Sequence, residues 1–248
     1  MNLRYVTCSD PREDTAISDA LAFLRRYPMA ELAVQAHPSK MSVGMDRRVW
    51  FEKLLDAAAG TYRTPHLTVH VNRDWCHAFC AGNLVPDLQD WLQRTHKNGD
   101  PLVRRVQINV AGNDVPDFRP LAVAEIIQNF PAHEFIFQYT SPQGARIRRL
   151  ADTGARFSVL YDASGGAGRT PRQTGRPFSF ALATGYSGGI GPENVTDRLM
   201  KIAAKADEAP VWIDAEGKLK NPDTNRFDLK LAQAYVSRAI YWLRDYSK

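Results

Sequence analysis

Eight short apolar runs, most of them separated by segments of helical periodicity, constrain this chain more than any other feature. They are residues 4–8, 32–35, 67–71, 105–110, 134–139, 157–161, 178–183 and 211–213. Several are continuously apolar rather than alternating, as expected of parallel strands covered on both faces. Helical patterns fall at Thr15–Tyr27, Arg47–Ala59, Pro86–Lys97, Pro120–Phe130, Pro142–Asp152 and Pro192–Ala206, and a last one spans Asp228–Tyr246. Asp46 and Ser141 fit N-caps, and Gly60 and Gly154 fit C-terminal stops. Strand–helix alternation repeated eight times favours a closed barrel over a doubly wound sheet. The expected fold is α/β, a (β/α)8 barrel in one domain spanning residues 1–248, for which about 250 residues are typical. One unit lacks a helical period: residues 163–177, rich in Gly, Arg and Pro, read as a long loop at the C-terminal end of the sixth strand, placed to act as a lid or clamp.

The seventh run empties into Ser187-Gly188-Gly189-Ile190-Gly191-Pro192-Glu193-Asn194-Val195. Pro192 suits the first turn of a helix and Glu193 its positive end. Gly188 and Gly189 let bare backbone N–H groups face an anion. Loops after strands seven and eight are the usual phosphate site of such barrels.

The net charge of +5 is moderately basic, yet no Lys/Arg block resembles a nucleic-acid arm. The basic cluster Arg169, Arg172 and Arg176 suits a small anion, or reads as scattered arginines on a solvated loop. Three cysteines argue against a disulfide framework and for a reducing compartment. The first residues enter a strand directly, with no signal-peptide pattern, and no apolar stretch approaches a membrane span. A cytoplasmic protein, monomeric or homodimeric, with a phosphorylated small-molecule substrate and neither nucleic-acid nor membrane partner, is the expectation.

Active-site groups of a barrel come from strand C-terminal ends. That rule selects Cys8, His37, Lys40, Asn72, Asp74, Asn109, Asp114, Tyr139, Asp162, Tyr186, Asp214 and Glu216. Cys8 is either a thiolate base or nucleophile, or a small buried hydrophobe. Asp162, between an apolar strand and a glycine turn, is either a desolvated carboxyl serving as general acid or a turn-capping Asp. Cys76, His77 and Cys80 lack the second ligand cluster of a zinc site. His37 and His70 read as core histidines on strands. Trp50, Trp75, Trp91, Trp212 and Trp242 read as packing between the helices and the barrel.

Taken in order, these segments resemble phosphoribosylanthranilate isomerase, along the whole chain. Val6-Thr7-Cys8 resembles the family's first-strand motif, and His37-Pro38-Ser39-Lys40 its Ser-Pro-Arg segment. Val69-His70-Val71-Asn72 and Val106-Gln107-Ile108-Asn109 resemble its third and fourth strands. Tyr161-Asp162 with Gly165-Gly166-Ala167-Gly168 resembles its general-acid turn, and Ser187–Val195 its Ala-Gly-Gly-Leu-x-Pro-x-Asn-Val loop. Ile213-Asp214-Ala215-Glu216-Gly217 is similar to its last motif. The resemblance implies an Amadori-type conversion of a phosphorylated aldose-amine to a ketose-amine, without cofactor. Asp162 would be the acid and Cys8 the base. Gly188, Gly189 and Gly217 would hold phosphate, and Lys40 an acidic ring substituent. Gln107, Asn109, Arg169 and Asp214 would also contact substrate.

The chain departs from the family at four places: Val6 replaces a lysine, Lys40 an arginine, Asn109 a histidine, and Glu216 stands near a phosphate-binding serine. A carboxylate about 5 Å from a phosphate costs roughly 3 kcal/mol per charge pair at an effective dielectric near 20. Glu216 must therefore turn away, be compensated by Arg169, Arg172 or Arg176, or face a ligand without phosphate there. Two other readings remain. One is an epimerase, aldolase or lyase using Lys40 or Tyr139. The other is a barrel that binds a phosphorylated metabolite without converting it.

Overall fold

The computed structural model describes residues 1–110, 115, 117–140, 143–162 and 174–246. Eight parallel strands, β1 (Asn2–Ser9), β2 (Ala30–Ala36), β3 (Leu67–Val71), β4 (Val103–Ile108), β5 (Glu134–Tyr139), β6 (Ser158–Tyr161), β7 (Thr184–Tyr186) and β8 (Pro210–Ala215), close into a barrel in sequence order. Around them lie α1 (Ile17–Arg26), α2 (Pro38–Met41), α3 (Asp46–Ala59), α4 (Arg73–Cys80), α5 (Pro86–Gln93), α6 (Pro120–Asn129), α7 (Gly144–Ala151), α8 (Val195–Ala206) and α9 (Leu229–Tyr246). The protein is a (β/α)8 barrel. Among the described residues, no helix is long and apolar enough to cross a membrane.

The strand faces divide cleanly. Parallel pairing aligns Thr7 with Glu31 and Asp214, and aligns Cys8 with Leu32 and Ala215. Because side chains alternate along a strand, these two sets point to opposite sides of the wall. Val6, Cys8, Leu32, Val34, Val69, Val71, Val106, Ile108, Phe135, Phe137, Val211 and Ile213 pack outward into the large apolar layer beneath the helices, which also holds Phe23, Phe51, Leu54, Phe79, Trp91 and Tyr235. Inward, Tyr5, Ile136, Leu160, Ala183 and Trp212 form a small separate cluster.

Above and beside that inner cluster, the lumen is polar. Arg105, fully buried, lies between the rings of Tyr5 (4.6 Å) and Trp212 (4.3 Å). It donates to Glu31 at 2.8 Å and to Glu134 at 3.4 Å. Thr7 donates to Glu31 at 2.7 Å, and Ser158 to Glu134 at 2.6 Å. A guanidinium with two carboxylates and two hydroxyls thus neutralises its own charge inside the barrel, the condition under which buried charges are tolerated.

Several boundaries depart from the sequence expectation. The seventh strand is Thr184–Tyr186, whereas most of 178–183 forms turns. Phe178 and Phe180 made that segment look like a strand, but they pack against Tyr139, Tyr161 and Phe157. Gly185 is the residue that admits a strand here: a β-carbon on it would lie 2.2 Å from the Trp212 ring. The helix expected from Pro192 opens three residues later at Val195. Asp46 is the first residue of α3, with Met45 at the N-cap position. The short α2 and α4 fall where no helix was expected. Ser141 and residues 163–173 of the expected clamp lie outside the described residues.

Candidate functional site

A cavity of about 480 Å³ opens at the C-terminal end of the barrel, where parallel strands deliver their terminal side chains. It collects Gln35 from β2, His70 and Asn72 from β3 and the residue following it, Gln107 and Asn109 from the end of β4, Gln138 from β5, and Asp162 after β6. Leu160 of β6 and residues 187–190 and 214–218 complete the lining among the described residues. Of the residues expected from sequence, Asn72, Gln107, Asn109, Asp162, Gly188, Gly189, Asp214, Glu216 and Gly217 converge here.

Cys8 does not. Its side chain lies on the outer face of β1, fully buried beneath the helices, in electrostatic contact with Tyr235 of α9. Burial, reinforced by the carboxyls of Asp214 and Glu31 across the wall, pushes its thiol well above the ordinary range. The thiolate-base reading is thereby corrected to the small buried hydrophobe, since the odd-numbered Thr7 and Ser9 face inward. Lys40 sits exposed on α2, outside the cavity lining. His37 precedes α2 instead of lying on β2. Tyr139 stacks on Tyr161 rather than lining the cavity. Arg169, Arg172 and Asp114 lie outside the described residues.

Two buried carboxyls occupy distinct environments in this cavity. Asp162 accepts a hydrogen bond from Gln138 Nε2 at 2.8 Å. Asp214 accepts one from Ser9 Oγ at 2.6 Å. Burial, together with the nearby carboxylates of Glu216 and Glu31, pushes Asp214 up to about 7, against the opposing pull of Ser9 and Arg105. Desolvation, with Arg105 adding to it, lowers His70 to about 3, so its ring is neutral at physiological pH.

The rest of the wall is a chain of carboxamides running in one sense. Gln107 Nε2 donates to Asn109 Oδ1 at 2.8 Å, and Asn109 Nδ2 to Asn72 Oδ1 at 2.9 Å. Asn72 Nδ2 donates to Gln35 Oε1 at 2.6 Å, and Gln35 Nε2 to Glu216 Oε2 at 3.1 Å. Glu216 is a pure acceptor when ionised, so it fixes Gln35, which fixes Asn72, and so on around the rim. Its other oxygen accepts from Lys220 Nζ at 2.8 Å, and Lys220 also reaches Asp10 at 3.1 Å. Asp10, held at φ +71°, gathers Arg12 and Arg47 as well, and these cations hold its carboxyl below the usual range despite its burial. Glu216 is thus compensated by Lys220, a residue the sequence reading did not single out.

Opposite the carboxamides, Gly188 (φ +94°) and Gly189 (φ +62°) take consecutive left-handed conformations that a side chain would strain. Asn194 clasps this loop, accepting from Gly191 N at 2.9 Å and donating to the carbonyl of Gly189 at 2.9 Å. The facing turn, Gly217–Leu219, brings Lys218 into the lining. Left-handed glycines, backbone N–H groups and an ammonium make a surface suited to an anion.

Sequence reasoning passed over Gln35, Gln138, Ser187, Lys218 and Lys220, and read His70 as core. Their signal was available: polar side chains at alternate positions near strand C-terminal ends, as in His70/Asn72 and Gln107/Asn109. Among the described residues, no group of three or more His, Cys, Asp or Glu is arranged to hold a metal ion. No protein-family model and no curated protein matches the chain.

Proposed function

We propose that this barrel is an acid–base isomerase of a phosphorylated sugar derivative, moving a carbonyl equivalent from C1 to C2. The observation that carries the reading is the pair of buried carboxyls in one cavity, Asp162 on Gln138 and Asp214 raised to about 7, facing a glycine loop with a lysine beside it. A base titrating near the working pH combines availability with proton affinity. Asp162 keeps the acid role that the resemblance implies: it protonates the ring oxygen as the C1–O bond breaks and the sugar opens. Asp214 takes the place of the thiol and removes the C2 proton, forming the enol or enol-amine. Return of a proton to C1, with loss of the O2 proton, gives the ketose form. Gly188, Gly189, Gly217 and Lys218 bind the phosphate, and the carboxamides orient the sugar.

The test is proton exchange at C2, followed by NMR in D2O, with phosphorylated aldoses and their amines. Exchange by the wild type, lost in Asp162→Asn and Asp214→Asn, is expected. Absence of exchange across that panel, with phosphate-competitive binding retained, would instead favour a binding protein that turns nothing over. The carboxamide wall, which recognises without moving protons, is the feature that supports this second reading.

A further inference from the structure

Resting on the acid–base reading above, we infer that the substrate's non-phosphate end is a free polyol, its anomeric position carrying hydroxyl rather than an aryl-amine. The wall that receives this end is built of Gln107, Asn109, Asn72 and Gln138, all directed by hydrogen bonds whose sense is already set. Gln138 is 5% exposed, and its Oε1 has no hydrogen-bond partner among the described residues. In the same cavity, Ser187 Oγ is buried and likewise without a partner among the described residues. An unpartnered buried carbonyl oxygen asks for a donor, and an unpartnered hydroxyl can take either role.

Sugar hydroxyls both donate and accept, so one hydroxyl answers Gln138 Oε1 while its neighbours meet Ser187 Oγ. An aryl ring laid against the same wall would strip water from these groups and return no hydrogen bond. A ring bearing a carboxylate would add a charge to a cavity that already holds Asp162, Asp214 and Glu216. Lys218 follows Gly217 and its stem lies against Gly191 of the glycine loop, so we assign it to the phosphate end. Leu160, Ile190 and Ala215 supply the apolar lining among the described residues, and each offers a small contact rather than a stacking face.

Titration calorimetry on the full chain decides this with three probes: inorganic phosphate, ribose 5-phosphate, and the N-phenyl amine made by reducing the aniline adduct of ribose 5-phosphate. Ribose 5-phosphate is expected to bind at least tenfold more tightly than phosphate, and more tightly than the N-phenyl amine. In Gln138→Leu the advantage of ribose 5-phosphate over phosphate should shrink at least fivefold. An N-phenyl amine that binds as well as or better than ribose 5-phosphate overturns the inference. So does a sugar phosphate that gains nothing over phosphate, though the anion cradle then survives. Silence from all three probes overturns both the inference and the proposed function.

Discussion

Two layers of the same lumen treat charge in opposite ways. In the layer around Arg105, each carboxylate has a cation or hydroxyl donor, and the guanidinium packs against the rings of Tyr5 and Trp212. In the layer above it, Asp162 accepts from the neutral amide of Gln138 and Asp214 from the hydroxyl of Ser9, and both line an open cavity. The lower layer is spent on holding the barrel together. The upper one keeps a carboxyl near neutrality, a condition that stability alone would not favour.

Breaking the lower layer should cost most. Arg105→Met leaves buried Glu31 without its cation and Glu134 with Arg4 alone, and removing one partner of a buried pair costs roughly 3–5 kcal/mol. Chemical denaturation would register it as a lower midpoint. If stability is unchanged, the layer is not closed by charge as described.

The upper layer should reveal itself through pH. Asp214 titrates near 7 in the folded chain, against about 3.9 when unfolded, so the native state holds the extra proton between those values. Stability therefore falls as pH rises from about 4 to about 7, by roughly 4 kcal/mol from this group, and levels off above. Denaturation midpoints across that window should flatten in Asp214→Asn. As the proposed base, Asp214 must be ionised, so C2 exchange should fall away below pH of about 7.

Smaller effects separate the outer face from the lumen. Cys8→Ala removes a sulfur from the layer under α9 and should cost about 1–2 kcal/mol, without altering phosphate affinity. A loss of phosphate binding in that variant would return the thiol to the site. Lys40→Ala, exposed on α2, should leave stability within about 0.5 kcal/mol and binding unchanged, as calorimetry can check.

These contrasts also mark what the residues alone made legible. The barrel was readable because apolar strand runs and helical periods alternate along almost the entire chain. Strand seven was misplaced because Phe178 and Phe180 mimic a strand while packing sideways. The real strand needs a glycine whose purpose lies in Trp212, on a neighbouring strand in space. Asp162, Asp214 and the glycine loop could be anticipated from their places at strand ends. Cys8 could not be ruled out by type, because its fate turns on parity: one residue either way along β1 separates the lumen from the helix layer. Lys220 was hidden for another reason. Its role depends on Asp10 and Glu216, and the hub joining strands one and eight exists only once the ring has closed.

The carboxamide chain gives that hub a reach beyond its own neighbourhood. Four side amides donate hydrogen bonds in a single direction towards one carboxylate, so none can rotate by itself without setting two oxygens, or two NH2 groups, against each other. The wall accordingly holds one setting as a unit, anchored by the acceptor at its end, rather than four independent ones. An ammonium in the loop after strand eight thereby helps set whether Asn109, four strands away around the ring, offers its nitrogen or its oxygen to a neighbour.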